Sequence, residues 1–530
     1  MKHALVLFLS FFLSVNLALA QDEPEGLLDQ YEGDWFNLSP EQNNVFGVSV
    51  NEAYKHFADP EIQPVIVAVI DDGVDVSHPD LKGKLWINAN EIPENGIDDD
   101  ANGYIDDIYG WNYLGNPDGE NIEHENIEIV RLYRPLKERF ENVDAEAVPK
   151  ADKKAYKEYL FYKAAYDEKI SELNSEYSQY AQLAALYQGA SAYMKEQLKS
   201  EELTINDLIK YQPENEDDGQ VRDFLLMAEQ EGLRQYLTEN DSYFESSIQY
   251  HYNIDFNPRT IVNEAEAERN NTAYGNPMVW AGNPDHGTHV AGIIGAVRHN
   301  DNGINGIAKN ARIMSLRVVP DGDERDKDVA LAIRYAVNNG AKVINMSFGK
   351  DYSPEKELIY SAIEYASAND VLLIHAAGND SENNDKLANY PDGTMGKRKS
   401  FENWITVGAS GPLRDMTFIA EFSNYGKKSV DILAPGVDIL SLVSGGGVDS
   451  YSGTSMAAPV VSGIATVLRG AYPNLSANEI KEIILQSADI DKKLHVMFLG
   501  DDLKIKKLIR NPGVPSLFMS LVIAKVKSGS

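Results

Sequence analysis

Cysteine is absent from the 530 residues. No disulfide, thiolate metal site or cysteine nucleophile is available, so an exported chain of this composition needs another stabiliser, and bound calcium is the usual substitute. Positive charge is scarce: 48 Lys and Arg stand against 82 Asp and Glu, a formal net charge of −34. Nucleic acids and anionic membrane surfaces are polyanions, and this balance argues against both as partners. Long apolar runs are lacking too. Beyond the first twenty residues no stretch reaches the ~18 apolar residues of a spanning helix, so no membrane span is expected after signal removal. What is present suffices for a sizeable core, with 43% hydrophobic residues over a length that allows several domains or one domain with insertions.

At the N-terminus Lys2 and His3 precede an apolar run, and Ala18-Leu19-Ala20 forms a small-x-small cleavage signature. Residues 1–20 read as a signal peptide, with an uncleaved anchor as the alternative, and the mature chain is expected in the periplasm or outside the cell. Residues 21–64 form a lead-in segment with a short helix expected at 50–57. An α/β region follows in two pieces, 65–119 and 255–490. It opens on Val65-Ile66-Val67-Ala68-Val69-Ile70, a continuous apolar run that predicts a central parallel strand covered on both faces. Further strands are expected at 312–318, 343–346, 371–376, 405–409 and 431–434, and helices at 328–338, 354–368, 455–471 and 475–488. Strands alternating with helices predict an α/β fold, a parallel sheet flanked by helices.

Residues 120–254 interrupt that pattern with a helical insertion rich in Lys, Glu, Tyr and Ala. Tyr159, Tyr162, Tyr166, Ile170, Leu173, Tyr177, Tyr180, Ala184 and Tyr187 recur at alternating threes and fours, the seam of a coiled coil or helical hairpin. A second helix at 221–237 is expected to pack antiparallel to it. A lid that recognises substrate and a surface elaboration packed on itself both fit. The tail, 491–530, loses the alternating pattern.

Three segments carry chemistry. Ile70-Asp71-Asp72-Gly73 puts carboxylates at the carboxyl end of a parallel strand, facing the crevice where such folds bind ligands. Asp285-His286-Gly287-Thr288-His289-Val290-Ala291-Gly292 opens a helix on an accessible imidazole. A zinc reading of His286 and His289 fails because the HExxH pattern and its Glu are missing. Ser452-Gly453-Thr454-Ser455-Met456-Ala457-Ala458-Pro459 sets a Ser in the first turn of a helix, among free backbone N–H groups that can bind an oxyanion. The order Asp, His, Ser is that of subtilisin.

With these three segments the chain resembles the subtilases, over roughly residues 40–120 and 255–490. The resemblance implies a subtilisin-like fold and hydrolysis of peptide bonds in protein or peptide substrates through an acyl-enzyme. It implies Ser455 as nucleophile, His286 as general base, Asp71 as the residue orienting the imidazole, and Asn379 of Ala376-Ala377-Gly378-Asn379 as oxyanion donor. It assigns Asp72 no catalytic part. Ser347, Phe348 and Gly349, with Ala377 and Gly378, would line the substrate cleft. Asp380 and Lys350 are expected at its rim with opposed charges, leaving a broad, mainly hydrophobic preference. No separate inhibitory prodomain is expected from 21–64.

Two calcium sites are expected. Asp98-Asp99-Asp100-Ala101-Asn102-Gly103-Tyr104-Ile105-Asp106 matches D-x-[DN]-x-[DN]-G, which offers Asp98, Asp100, Asn102, the Tyr104 carbonyl and Asp106 as ligands. Tyr109 stands where an EF-hand has Glu, so the loop is not a complete EF-hand, and Asp107 could supply the last carboxylate. The resemblance alone implies a second site at Asp80 with the loop 300–303. A different class of function, a non-catalytic binding or scaffold protein using the helical arm, would need none of Asp71, His286, Ser455 and Asn379 together. An esterase or ligase would share the acyl-enzyme and differ in its acceptor. The oligomeric state is open.

Overall fold

Seven parallel strands form the main sheet, and their ranges follow the apolar runs closely. They are β1 (Val65–Asp71), β2 (Gly110–Asn112), β3 (Ala311–Arg317), β4 (Val343–Met346), β5 (Leu372–Ala376), β6 (Trp404–Ser410) and β7 (Ile432–Pro435), in the spatial order β2-β3-β1-β4-β5-β6-β7. The computed structural model describes residues 34–57, 62–263, 273–300, 304–395, 399–490 and 492–529. The signal segment expected at 1–20 lies outside them, as do 301–303 of the second calcium loop.

β1 is central, with β3 on one edge and β4 on the other. Val67 and Val69 point to one face, Ala68 and Ile70 to the opposite one, and all four are buried. A strand covered on both faces has no polar face to alternate with, which is why its sequence is continuously apolar. β2 had no sequence signal: at three residues it is too short to carry a period.

Two helices matter for the site. The helix Asp285–Gly295 and the helix Thr454–Ala471 pack on the sheet. In the second, every residue except Ser455 and Ala471 is buried. A helix buried on all sides belongs inside a domain, and its polar members Ser462, Thr466 and Arg469 are each hydrogen-bonded there.

The chain divides into two compact units: 1–121 with 265–319 and 325–530, and 122–264 with 320–324. In the first, Trp35, Phe36, Val45 and Val48 of the lead-in share one core cluster with β1 and the Ser455 helix. So do Val496, Phe498, Ile505, Ile509 and Leu517 of the tail, whose last helix spans Leu517–Ser528.

The second unit is helical. Its long helix runs Lys153–Leu198, 46 residues. Tyr159 packs on Tyr133, the Tyr180 hydroxyl donates to the Leu237 carbonyl and Asp241, and the Tyr187 hydroxyl donates to Glu229. Of the expected seam, Tyr159, Leu173, Tyr180 and Ala184 are buried, while the Tyr177 ring is exposed and meets Phe244 edge-on; the Tyr180 and Tyr187 hydroxyls reach polar partners. The single helix expected at 221–237 is two, Glu216–Gln230 and Leu233–Ser246, broken where Gly232 turns left-handed at φ 68°. Segment 320–324 belongs here because Asp321 accepts from both His124 and His251, at 2.7 and 2.9 Å.

Candidate active site

The carboxyl ends of the central strands bring the sequence-marked residues together. Asp71 ends β1 and is 1% exposed. Its Oδ1 accepts from His286 Nδ1 at 2.6 Å and from the Asp72 backbone N–H at 2.9 Å. A carboxylate can only accept, so this bond fixes the proton on Nδ1 and leaves Nε2 as the basic nitrogen. Burial pulls the His286 imidazole down, but the charge and hydrogen bond of Asp71, joined by the charge of Asp72, outweigh it and raise the ring above its ordinary 6.5. Raised to about 9, the ring yields the neutral base only well above its ordinary value.

Asp72 is the neighbour the motif reading left without a part. Its carboxylate accepts from the His286 N–H at 3.2 Å and the Gly287 N–H at 2.7 Å. It caps the His286 helix from the end of β1, meeting orphan donors that no residue of the helix itself satisfies. The approach is close enough that a Cβ on Gly287 would sit 2.0 Å from the Gly73 carbonyl oxygen and 2.8 Å from Asp72 Oδ1. Burial, and then the charge of Asp71, push the Asp72 carboxyl up to about 7.

Ser455 is the second residue of its helix. Its Oγ donates to the Ser347 carbonyl at 3.0 Å, and Ser347 Oγ donates back to the Ser455 carbonyl at 2.9 Å. The second bond has a cause in the motif: Pro459 has no N–H to give to the carbonyl four residues before it, and the Ser347 hydroxyl takes its place. Behind the pair, Asn345 Nδ2 donates to Ser347 Oγ and Ser462 Oγ donates to Asn345 Oδ1, a buried chain from β4 into the helix. Among the described residues no hydrogen bond joins Ser455 to His286; the Ser455 hydroxyl is held by the Ser347 carbonyl.

Asn379 follows β5. Its Oδ1 accepts from the Thr454 N–H at 2.8 Å and the Thr454 hydroxyl at 2.9 Å, capping a helix whose own N-cap, Gly453, has no side chain. That anchors the amide with Nδ2 free to donate. A Cβ on Gly453 would lie 3.4 Å from Asn379 Nδ2 and 3.6 Å from the Ser455 N, so one small region faces both donors. The turn before Asn379 is framed by side chains no motif flagged. Asn384 and Asn389 donate to the Ala377 carbonyl, and Asn424 sits where a Cβ on Gly378 (φ 105°) would approach its Nδ2 to 2.3 Å.

Of the residues expected to line the cleft, Ser347 and Ala377 are buried, Phe348 and Gly378 half-buried and Gly349 exposed. Lys350 is not at the rim. Its ammonium is buried against Asp326 at 2.8 Å, with both side chains 1% exposed, so of the two charges expected there only Asp380 is exposed. An isolated buried ammonium is too costly to persist, which is why the lysine turns inward only with a carboxylate waiting.

The acidic loop converges differently from its motif spacing. Asp100 lies with Glu91 and Asp107, their ligand atoms within 4.8 Å of one another. Asp98 accepts from the Asn102 and Gly103 N–H groups, Asp106 from those of Asn95 and Gly96, and Asn102 Oδ1 from that of Tyr104. The Tyr104 ring packs edge-on against Trp111 and Tyr335. Glu91 sits outside the nine-residue pattern, so spacing alone could not find it. Asp80 is fully buried; Oδ1 accepts from Asn300 at 2.6 Å, and Oδ2 has no partner among the described residues.

A family model described as the subtilase family matches residues 63–513. The chain belongs to the subtilase family. Among similar proteins are the thermophilic serine proteinase of Bacillus sp. (strain AK1), 40% identical over 206 residues, 39% of this chain and 47% of that one. The cell wall-associated protease of Bacillus subtilis (strain 168) is 39% identical over 205 residues, 38% of this chain and 21% of that one. The halolysin-like extracellular serine protease Nep of Natrialba magadii is 34% identical over 215 residues, 40% of this chain and 37% of that one. This subtilase thus spans less than half the length of each of these relatives where it matches them.

Proposed function

We propose that this subtilase is an exported serine endopeptidase that hydrolyses peptide bonds through an acyl-enzyme on Ser455. The observation that carries the reading is the 2.6 Å bond from His286 Nδ1 to the buried Asp71, which leaves Nε2 as a base in the crevice that Ser455 and Asn379 also enter. The substrate backbone N–H takes the Ser347 carbonyl, freeing the Ser455 hydroxyl that occupies it. Oγ attacks the scissile carbonyl as its proton passes to Nε2, and Asp71 stabilises the imidazolium. The new oxyanion accepts from the Ser455 N–H and Asn379 Nδ2. Collapse returns the proton to the leaving amine, and water repeats the sequence on the acyl-enzyme.

Export is supported by the pattern of residues 1–20 and by relatives named extracellular and cell wall-associated. No helix among the described residues is long and apolar enough to cross a membrane. With Lys350 turned inward, Asp380 is the one charge of that pair left exposed, so the mainly apolar preference carries a bias toward basic over acidic residues before the scissile bond; a peptide library that takes Asp or Glu there as readily as Arg or Lys would refute it.

The donor sets fit calcium. Glu91, Asp100 and Asp107 offer only oxygen, the choice of a hard cation, and the buried, unpartnered Asp80 Oδ2 calls for a positive charge. Calcium there would supply stability, in a chain with no disulfides to supply it.

A fluorophosphonate probe tests the reading. The folded chain is expected to label, and Ser455→Ala to abolish labelling. A folded chain that does not label refutes the peptidase and leaves a binding protein.

A further inference from the structure

Resting on the peptidase reading, we propose that Asp72 is a positioning residue of the active site, which seats the His286 helix and sets, together with Asp71, the charge that the imidazole must work against. Two adjacent carboxylates leave β1 and divide one task. Asp71 binds the ring of His286 at Nδ1; Asp72 binds the backbone of the same residue and of Gly287. The imidazole is thus held at its side chain and at its main chain from a single strand end. Its orientation does not depend on the helix being well capped by its own residues: Pro284, at the N-cap, offers no side-chain acceptor.

The local sequence is built around that contact. Gly287 leaves room for Asp72 Oδ1, as the 2.8 Å approach of a Cβ there requires. Gly73, at φ 120°, turns the chain so that a Cβ would meet the Val279 carbonyl oxygen at 2.5 Å. Arg317, 3% exposed at the end of β3, donates from Nε to the Asp72 carbonyl at 3.0 Å, which fixes the Asp72 backbone while its carboxylate serves the helix. The ligand atoms of Asp71, Asp72 and His286 lie within 4.8 Å of one another. At that range a second negative charge acts directly on the imidazolium. The charged groups beside this cluster are Arg317 and Asp285, whose carboxylate accepts from the Ser444 N–H at 2.9 Å; further titratable groups near it among the described residues are His289, three residues along the helix, and Tyr451, stacked on the His289 ring. Neither carries a charge at neutral pH, since burial pulls the His289 ring down to about 4 and raises the Tyr451 hydroxyl.

The sign follows. A carboxylate near His286 favours imidazolium, so removing it lets the neutral base appear at lower pH. The parent peptidase would show an acid limb set by two interacting protonations, Asp72 and His286, and a variant without the Asp72 carboxyl a limb set by His286 alone.

The experiment measures kcat/KM against pH, and fluorophosphonate labelling against pH, for the full chain and for Asp72→Asn and Asp72→Ser. Asp72→Asn keeps the shape and one acceptor but loses the charge. The acid limb is expected to move down by about one pH unit in both variants, with a roughly tenfold lower kcat at the optimum from the looser His286 helix. A merely structural cap would lower the melting temperature and leave the midpoint in place. An acid limb that stays at the parent's midpoint, in whichever variant folds, overturns the proposal while the parent's labelling keeps the peptidase reading intact. A parent that does not label overturns both.

Discussion

Asn379 caps the Ser455 helix and is proposed to donate to the oxyanion, and one pair of substitutions divides the two duties. Oδ1 caps the Ser455 helix through Thr454, while Nδ2 faces the region shared with the Ser455 N–H. Asn379→Asp keeps an acceptor for the Thr454 N–H and hydroxyl but replaces the donor with a charge of the wrong sign for an oxyanion. Asn379→Ala removes both. Loss of one oxyanion donor lowers kcat by about 10²–10³, roughly 3–4 kcal/mol of transition-state stabilisation. Loss of a helix cap costs about 1 kcal/mol of folding stability. Both variants are therefore expected to lose at least 10² in kcat on a chromogenic peptide with KM little changed. Only Asn379→Ala should also show a lower urea midpoint, by the equivalent of about 1 kcal/mol. A near-parental kcat in Asn379→Asp would refute the donor role, and equal urea midpoints for both variants would refute the capping role.

Lys350→Met strands the Asp326 carboxylate in the interior and is expected to cost about 3–5 kcal/mol in urea unfolding, whereas Lys350→Met with Asp326→Leu should recover most of that loss; a double variant as unstable as the single one would contradict the buried pairing. Calcium chelation should lower the melting temperature by several degrees, since a ligand at 100 times its Kd contributes about 2.7 kcal/mol. Asp107→Asn should make the melting temperature less sensitive to the chelator; identical melting with and without chelator would remove calcium from the account.

The readable parts of this molecule were those where one residue's identity answers a local demand. The apolar run 65–70 could only be a strand covered on both faces. Gly453, Thr454 and Ser455 mark a helix start, because a first turn leaves N–H groups free and its cap position tolerates a missing side chain. Element boundaries fell within two residues of the expected ones for every sheet strand foreseen, from Ala311–Arg317 to Ile432–Pro435. Tyr spacing marked the seam of the long helix, since its period is set by the helix itself. The break at Gly232 was missed because a lone glycine reads as tolerable within a helix until its φ is known.

What the sequence by itself determined, then, was most of the order of strands and helices, and it nominated Asp71, His286, Ser455 and Asn379 as a candidate set. Tertiary structure decided which group each polar atom meets. Lys350 and Asp326 pair across 24 positions of sequence, Glu91 joins Asp100 and Asp107 from outside their motif, and Asp72 caps a helix that begins 213 residues later. Periodicity and motif spacing describe neighbours along the chain. The energy of a buried charge or an orphan N–H depends on neighbours in space, and only the folded chain supplies those.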